Sequence, residues 1–265
     1  EGVMTARSRL RDTVSIQVVA FPQSGVLTRP GTAELLEQAV KDGAELIGGV
    51  DPTGIDGDAA GQLDRVFAIA GRHGAGVDIH LHDGGAEGAA QIRMIAERTR
   101  ALGLAGRVAV SHAFCLGMVE ERELEALLEL LREQRIAIMT TAPGDRPTPP
   151  VRRLREAGVT VGAGSDGVRD AWTPFGNADM LERAMLVAYR NGFRTDRLLH
   201  DALDIATRDN AAVLGLTGYG LAPGDRADLV VVPGESLGEI IAMRPPRALV
   251  LSGGRVVARD GRCVL

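Results

Sequence analysis

Histidine and aspartate side chains follow three apolar, β-rich segments of this chain, and their placement suggests a metal site. His80 and His82 occur in DIHLHD, His112 in AVSHAF, and Asp166 in GAGSD. Parallel α/β proteins build their sites at the carboxyl ends of strands. Imidazole together with carboxylate suits Zn²⁺ or Fe²⁺, which activates water for hydrolysis. These residues therefore predict one divalent metal ion and a metal-dependent hydrolase.

The individual roles of the histidines stay open at this stage. Residues two apart on a strand share a face, so His80 and His82 could bind one ion. If the strand ends between them, only one of the two faces the site. Each polar group at a strand end could instead be hydrogen-bonded to a neighbouring loop. The remaining histidines, His73 and His200, are expected on the surface.

Other motifs suggest different chemistry. Gly162–Gly167 matches the G-x-G-x-x-G pattern of dinucleotide-binding proteins, and the same segment misses the nucleophile elbow G-x-S-x-G only at Ala163. The residues that follow, VRDAWTP, do not open a helix, so a phosphate would have no helix N-terminus to bind. Both interpretations are therefore disfavoured. Cys115 has no evident base nearby and is expected to be a small buried hydrophobic residue.

These residues must be positioned by strands and helices that alternate along the chain, a pattern typical of βα units and a parallel sheet. The predicted strands are Val14–Phe21, Glu45–Val50, Gly76–His82, Arg107–His112, Ile136–Thr141 and Thr160–Asp166. The predicted helices are Thr32–Asp42, Gln62–Arg72, Ala89–Leu102, Glu120–Arg135, Asn177–Tyr189 and Asp196–Leu214. Helix C-termini are expected at Gly43, Gly74, Gly103 and Gly158. Residues 221–233 and 248–261 predict short strands of a small β-structure.

Composition excludes several classes of protein. The 265 residues carry a net charge of −5, which argues against a nucleic-acid or anionic-membrane binder. No run reaches the ~18 apolar residues that a membrane helix needs. Two cysteines cannot make a disulfide framework, so a reducing, cytoplasmic compartment is expected. The opening residues match neither a signal peptide nor a transit peptide, and they suggest a sequence already under way.

Several segments resemble the cytosine-deaminase branch of the amidohydrolase superfamily. They are QVVAFPQSG (17–25), DIHLHD (78–83), VSHAF (110–114) and GSDGVRDAWTPFGNADML (164–181); GLAPGDRADLVVVP and LVLSGGRVVARDG resemble the superfamily's C-terminal β-segment. The resemblance implies an α/β fold, a (β/α)8 TIM-type barrel that here lacks its first two βα units, with the C-terminal part of a small β-sandwich. It divides the chain into residues 1–216, with units 3 to 8 and an extra helix, and residues 217–265.

The resemblance also implies roles for individual residues. His80 and Asp166 would bind one divalent metal ion, Zn or Fe, and His112 would hydrogen-bond the metal-activated hydroxide or the intermediate. Asp83 stands where the family has a glutamate that carries the proton. Because its side chain is one methylene shorter, His82 could share that task or contact the substrate.

Two further residues would form the substrate pocket. Gln23 would bind the ring carbonyl and amide edge of the substrate, and Trp172 would help wall the pocket. Gly167 stands where typical cytosine deaminases have an acidic residue, so a cyclic substrate other than cytosine is plausible.

The sequence therefore predicts a cytosine deaminase-like hydrolase of non-peptide C–N bonds in a small cyclic amidine or amide. Alternatives are an amine-releasing enzyme of the ammelide type, a ring-opening amidohydrolase, and a truncated barrel that is no enzyme. A phosphate-binding barrel fits less well, because no glycine-rich loop opens a helix after Asp166. The resemblance also implies an H-x-H pair of metal ligands on strand 1 of the complete barrel, which is absent here, so this chain alone is expected to be nearly inactive. The expected partner is a small cyclic substrate, without nucleic acid or membrane, and a homo-oligomer is compatible with the resemblance.

Overall fold

The computed structural model describes residues 2–264, in which helices alternate with strands. The strands are β1 (Val19–Ala20), β2 (Leu46–Val50), β3 (Gly76–Leu81), β4 (Val108–His112), β5 (Ala137–Thr140), β6 (Val161–Ala163), β7 (Leu229–Val231), β8 (Leu249–Ser252), β9 (Arg255–Arg259) and β10 (Arg262–Cys263). The helices are α1 (Gly2–Leu10), α2 (Thr32–Lys41), α3 (Ala59–His73), α4 (Gly85–Ala101), α5 (Glu121–Glu133), α6 (Val151–Glu156), α7 (Met180–Arg190), α8 (Asp196–Ala206), α9 (Arg208–Val213) and α10 (Leu237–Met243). A 3₁₀ turn, Phe114–Gly117, follows β4.

The chain divides into two compact units. Gln17–Val161 form one, and the described residues up to Ile16 together with those from Gly162 onward form the other. The boundary falls within β6. The division between residues 216 and 217, inferred from the resemblance, stays a prediction.

Strands β1 to β6 lie side by side in chain order in one sheet. The pairings from β1 through β5 are parallel, as the alternation of strands and helices predicts. Both faces of the central strands are covered, and every residue of β4 is buried. Over the described range the sheet is open, with β1 and β6 at its edges.

The register of the central strands brings the predicted metal-binding segments together. In the pairing of β3 with β4, His80 lies opposite Ser111 and Leu81 opposite His112. The carboxyl ends of the two strands therefore meet at the same edge of the sheet.

Helices cover the sheet through apolar faces with helical spacing. Helix α5 buries Leu124, Leu127, Leu128 and Leu131, the stripe expected of an amphipathic helix. The glycines predicted at helix C-termini all have positive φ, as at Gly74 (φ 64°) after α3. These parts of the sequence prediction are confirmed.

Three predicted elements are wrong in extent. The first strand is only Val19–Ala20, and the predicted helix Asp196–Leu214 is two helices that meet at Thr207. The sixth strand ends at Ala163 rather than at Asp166. The side-chain amide of Asn210 bonds both backbone groups of Ala163, at 2.9 and 2.7 Å. Asp166 has φ 57°, a left-handed conformation that does not continue a strand.

The unit that contains the C-terminal part of the chain packs α7, α8 and α10 together. Asp179 caps α7 by accepting bonds from the N–H groups of Leu181 and Glu182, at 2.9 and 3.2 Å, and it pairs with Arg247. Strands β7 to β10 form an antiparallel sheet in the order β10-β9-β8-β7. The predicted small β-structure is therefore present. Among residues 2–264, no helix has both the length and the hydropathy of a membrane-spanning segment.

Candidate metal centre

Three imidazoles form a cluster at the carboxyl ends of β3 and β4. His80, His82 and His112 each offer a ring nitrogen, and these three atoms lie within 4.8 Å of one another. Nε2 of His112 is 3.3 Å from Nδ1 of His80, and the rings of His82 and His112 have centroids 4.2 Å apart. Strand β3 ends at Leu81, between His80 and His82, yet both imidazoles reach the cluster. We call these three residues the imidazole cluster.

The donor chemistry of the imidazole cluster fits a divalent transition metal. Zn²⁺ binds histidine nitrogen at about 2.0–2.1 Å with tetrahedral geometry, which places two bound nitrogens about 3.3 Å apart. The distance of 3.3 Å between Nδ1 of His80 and Nε2 of His112 has that value. Aromatic rings border the cluster, with Phe21 4.7 Å from His80 and Phe114 5.5 Å from His112, measured between ring centroids.

His112 is held in the cluster by an unusual backbone. It is 5% exposed, and its φ of 71° and that of Ala113, 47°, are left-handed. Such conformations cost of order 1–3 kcal/mol for residues other than glycine and persist where the surroundings impose them. Burial, followed by the neighbouring charges of His82 and His80, lowers the pKa of His112 to about 3. The ring is therefore neutral at physiological pH, the form that binds a metal ion.

Asp51, directly after β2, orients His82. One carboxylate oxygen accepts a bond from the backbone N–H of His82 at 2.6 Å, and the other lies 2.9 Å from Nδ1 of its ring. Burial raises the pKa of Asp51, but the bonds from His82 outweigh it and the pKa is lowered. With Nδ1 engaged, Nε2 is the ring nitrogen of His82 that remains for a ligand.

The carboxylate of Asp83 is engaged by its own surroundings. Its Oδ2 accepts a bond of 2.7 Å from Nε2 of Gln91, which is 1% exposed. The backbone N–H groups of Thr53 and Gly54 donate to the same oxygen, each at 3.3 Å. Asp83 thereby connects the end of β3 to the loop after β2, which also carries Asp51.

The remaining predicted site residues lie elsewhere in the chain. Gln23 is exposed in the turn after β1. Asp166 and Trp172 belong to the other unit, in the loop between β6 and α7. Burial lowers the pKa of Arg183, and the charges of Glu182 and Asp166 act to raise it. Trp172 is 76% exposed, and its backbone N–H donates to Oδ1 of Asp170 at 2.9 Å.

The expectations for the other motifs are confirmed. No helix starts directly after Gly162–Gly167, because α7 begins only at Met180. Cys115 is fully buried, and burial raises the pKa of its thiol to about 12. His73 and His200 are both exposed, with His73 2.7 Å from Glu37.

Sequence reasoning missed the residues that hold the site in place. Asp51 and Gln91 are separated from their partners His82 and Asp83 by 31 and 8 residues. Asp51 carried one usable signal, because it follows the second strand as His82 follows the third. Gln91 lies on the helix after β3 and carried no such signal.

Comparison with known proteins agrees with this fold. A model of the amidohydrolase family matches residues 2–264. The chain is 35% identical over 261 residues to N-isopropylammelide isopropyl amidohydrolase of Pseudomonas sp. (strain ADP), covering 98% of this chain and 65% of that protein. It is 26% identical over 273 residues to pterin deaminase of Rhizobium rhizogenes (strain K84 / ATCC BAA-868), covering 96% of this chain and 61% of that protein. The chain thus spans less than two thirds of the length of these curated relatives.

Solved structures show the same architecture. The crystal structure of N-isopropylammelide isopropylaminohydrolase from Burkholderia multivorans ATCC 17616 has a TM-score of 0.97 and 52% identity, covering 99% of this chain and 67% of that chain. The 5-methylcytosine deaminase from Klebsiella pneumoniae, liganded with phosphonocytosine, has a TM-score of 0.89 at 24% identity, covering 99% and 68%, and shows the fold alone. These likenesses confirm the predicted fold class, a TIM-type barrel of which the open sheet described here is a part. The parallel sheet, the imidazole cluster and the family match over residues 2–264 together establish that this chain belongs to the amidohydrolase family.

Proposed function

We propose that this chain is part of a metal-dependent hydrolase that cleaves a non-peptide C–N bond in a small cyclic amidine or amide. The observation that carries the proposal is the imidazole cluster at the carboxyl ends of two neighbouring parallel strands. Sites of barrel enzymes are built at that edge. The relatives named above act, by their names, on an ammelide and a pterin, which are both cyclic C–N compounds.

The imidazole cluster is the place at which we propose that the ion binds. His80 would hold it, and His82 and His112 each present a further ring nitrogen within 4.8 Å. Asp166 is proposed as a further ligand, on the strength of the family resemblance. A divalent ion at such a site lowers the pKa of water to about 7 and polarises the substrate.

The chain's own residues would bind and orient the reactants. Neutral His112 can exchange a hydrogen bond with the attacking water, and Asp51 keeps the ring of His82 in one orientation. We propose that Gln23 binds the carbonyl and amide edge of the ring and that Trp172 contributes to the pocket wall. Water's oxygen bonds to the ring carbon, the C–N bond breaks, and the nitrogen leaves with the proton that water loses.

The proton carrier was inferred by resemblance to be Asp83, and that assignment stays a proposal. The carboxylate accepts bonds from Gln91, Thr53 and Gly54, so it can serve only if a lone pair remains on the substrate side. Carboxylates offer about four lone-pair sites, which leaves room for this role.

We favour an amine as the leaving group over ammonia. The two N-isopropylammelide hydrolases among the relatives are 35% and 52% identical to this chain. Gly167 also stands where, by the resemblance, typical cytosine deaminases have an acidic side chain. Assays of the full-length protein with N-isopropylammelide, cytosine and pterin would distinguish isopropylamine from ammonia as the product.

The decisive test combines metal analysis with turnover. The full-length wild-type protein and the variants His80→Ala and His112→Ala would be loaded with Zn²⁺, dialysed and measured for bound metal and activity. Exposed His200 provides the matched control, His200→Ala. We expect the cluster variants to lose roughly 10-fold or more in metal affinity, in line with the loss of one ligand or its support, and the control to be unchanged. Full metal content and turnover in both cluster variants would refute the proposed site.

A further inference from the structure

The loop that carries Gln23 is fastened to the rest of its unit through one carboxylate. After β1 the chain makes a turn in which the N–H of Gly25 donates to the carbonyl of Pro22 at 2.9 Å. The three residues that follow the turn, Val26–Thr28, donate their backbone N–H groups to Asp56, at 2.9, 3.1 and 3.0 Å. The hydroxyl of Thr28 adds a fourth bond to this carboxylate, at 2.9 Å.

Asp56 is itself held by a buried side-chain amide. Nε2 of Gln62, a fully buried side chain on α3, donates to Oδ2 of Asp56 at 2.8 Å and to the carbonyl of Val50 at 3.0 Å. The amide therefore connects the carboxylate to the last residue of β2. Hydrogen bonds from backbone N–H groups to an ionised carboxylate are about twice as strong as neutral ones. We call Asp56, Gln62 and the segment Val26–Thr28 the loop clamp.

The backbone of the turn is adapted to the loop clamp. Gly25 has φ 95°, and a Cβ atom at this position would collide with Oδ1 of Asp56 and with the hydroxyl of Thr28. Val26 is 4% exposed and packs in the core, whereas Leu27 and Thr28 are exposed, so apolar packing fixes only the first residue of the segment. Because these residues lie outside strands and helices, Asp56 accepts the backbone N–H bonds that a strand or helix would otherwise satisfy.

We propose that Asp56 is a positioning residue for substrate recognition, which holds the turn that presents Gln23. The inference rests on the proposed function, in which Gln23 binds the ring of the substrate. Asp56 acts through the loop and is not itself in contact with the reacting atoms. Loss of its charge should therefore weaken binding of the substrate more than the chemical step.

The test uses Asp56→Asn in the full-length protein, because asparagine keeps the size of the side chain and removes its charge. The matched control is Asp58→Asn, two residues away, where the carboxylate caps α3 by accepting the N–H of Gly61 at 2.8 Å. Asparagine caps helices about as well as aspartate, so this control should behave as wild type. Hydrogen exchange of the amides of Val26–Thr28 and steady-state kinetics would be measured for both variants, alone and combined with Gln23→Ala.

We expect Asp56→Asn to speed exchange of these three amides about 10-fold and to raise KM about 10-fold while kcat changes less than about threefold. In the Gln23→Ala background the same substitution should change kcat/KM by less than about twofold, because the two residues act through one contact. A fold that is merely weakened would instead lower kcat/KM equally in both backgrounds, and that result would overturn the assignment. So would unchanged amide exchange in Asp56→Asn.

Failure of the proposed function would look different. A wild-type protein that turns over none of N-isopropylammelide, cytosine and pterin, with metal bound, would overturn the proposed function and this assignment together. A wild-type protein that turns over one of them, with KM unchanged by Asp56→Asn, would overturn only the role of Asp56.

Discussion

His112 shows how a single residue combines several constraints in this site. Its imidazole is buried, faces two other imidazoles and is carried by a left-handed backbone that continues into Ala113. The resulting low pKa keeps the ring of His112 uncharged, so it adds no positive charge beside His80 and His82. Asp51 supplies the complementary constraint on His82. The site is thus assembled from side chains whose charge and orientation are set by direct neighbours.

The two cysteines should differ in reactivity at the residue scale. Burial raises the pKa of Cys115 to about 12, whereas Cys263 is exposed. Because the thiolate is the reactive form, iodoacetamide at pH 8 should alkylate Cys263 and leave Cys115 unmodified in the folded protein. Peptide mass spectrometry gives the extent at each site, with alkylation in urea as the control in which both react. Equal labelling without urea would contradict the buried position of Cys115.

At the scale of elements, loops after the strands carry most of the residues that support the site. The loop after β2 holds Asp51 and Asp56, which bond to residues at the end of β3 and to the turn after β1. Helix α4 approaches the end of β3 closely enough for Gln91 to reach Asp83. These loops are therefore held together by direct hydrogen bonds, and substitutions at their close contacts should lower the stability of the fold.

The close packing of Gly88, on α4, against Asp83 and the 3₁₀ turn after β4 predicts a destabilising effect of Gly88→Ala. A Cβ at Gly88 would overlap the carbonyl oxygen of Asp83 and lie 2.7 Å from the Cβ of Cys115. Overpacking of this kind costs about 1–3 kcal/mol, more than the roughly 1 kcal/mol that alanine adds to helix propensity. Urea unfolding measures the difference. Gly144→Ala, with no atom within 4 Å, is the matched control and should stay within about 0.5 kcal/mol of wild type.

The loop clamp should weaken in acid. Burial raises the pKa of Asp56, but its hydrogen bonds from Thr28, Val26, Gln62 and Leu27 lower it overall from the ordinary 3.8. A carboxyl group with a lowered folded-state pKa contributes its stability fully above the unfolded value and loses it as the pH falls through the folded value. The difference in melting temperature between wild type and Asp56→Asn should therefore be constant between roughly pH 6 and 8 and should shrink below about pH 4. If the melting-temperature difference persisted unchanged down to roughly pH 2–3, ionisation of Asp56 would not contribute to the stability of the fold.

At the scale of the whole molecule, the predicted metal ligands are distributed between two compact units. The imidazole cluster belongs to Gln17–Val161, and Asp166 belongs to the unit that starts at Gly162. The family resemblance assigns His80 and Asp166 to one ion. If that assignment is right, binding of the ion stabilises the folded state by mass action.

The proposed ligand role of Asp166 predicts that Asp166→Ala lowers Zn²⁺ affinity as His80→Ala does, by about 10-fold or more. Isothermal titration of the full-length protein with Zn²⁺ checks this, and melting temperatures with and without the metal give a second readout. Asp145→Asn serves as the control, since its side chain is 79% exposed. Normal affinity in Asp166→Ala, together with lost affinity in His80→Ala, would restrict the metal to the imidazole cluster.

Sequence patterns were sufficient to predict the alternating strands and helices and the glycines that end the helices. The positions of His80, His82 and His112 at the carboxyl ends of two strands were also predictable. Each of these features depends on local periodicity or on residue spacing within one segment, which the linear sequence contains directly. The sixth strand was overextended to Asp166 because its end is set by Asn210, a residue 47 positions away.

Only the tertiary structure decided which side chains complete the site. The pairing of β3 with β4 brings His112 to within 3.3 Å of His80, and strand spacing alone could not decide whether His80 and His82 both reach the cluster. The partners Asp51, Asp56 and Gln91 come from loops and a helix face, where no periodic pattern distinguishes a solvated polar side chain from a bonded one. Contacts between such residues depend on strand order, register and loop conformation, which are properties of the folded chain rather than of any single segment.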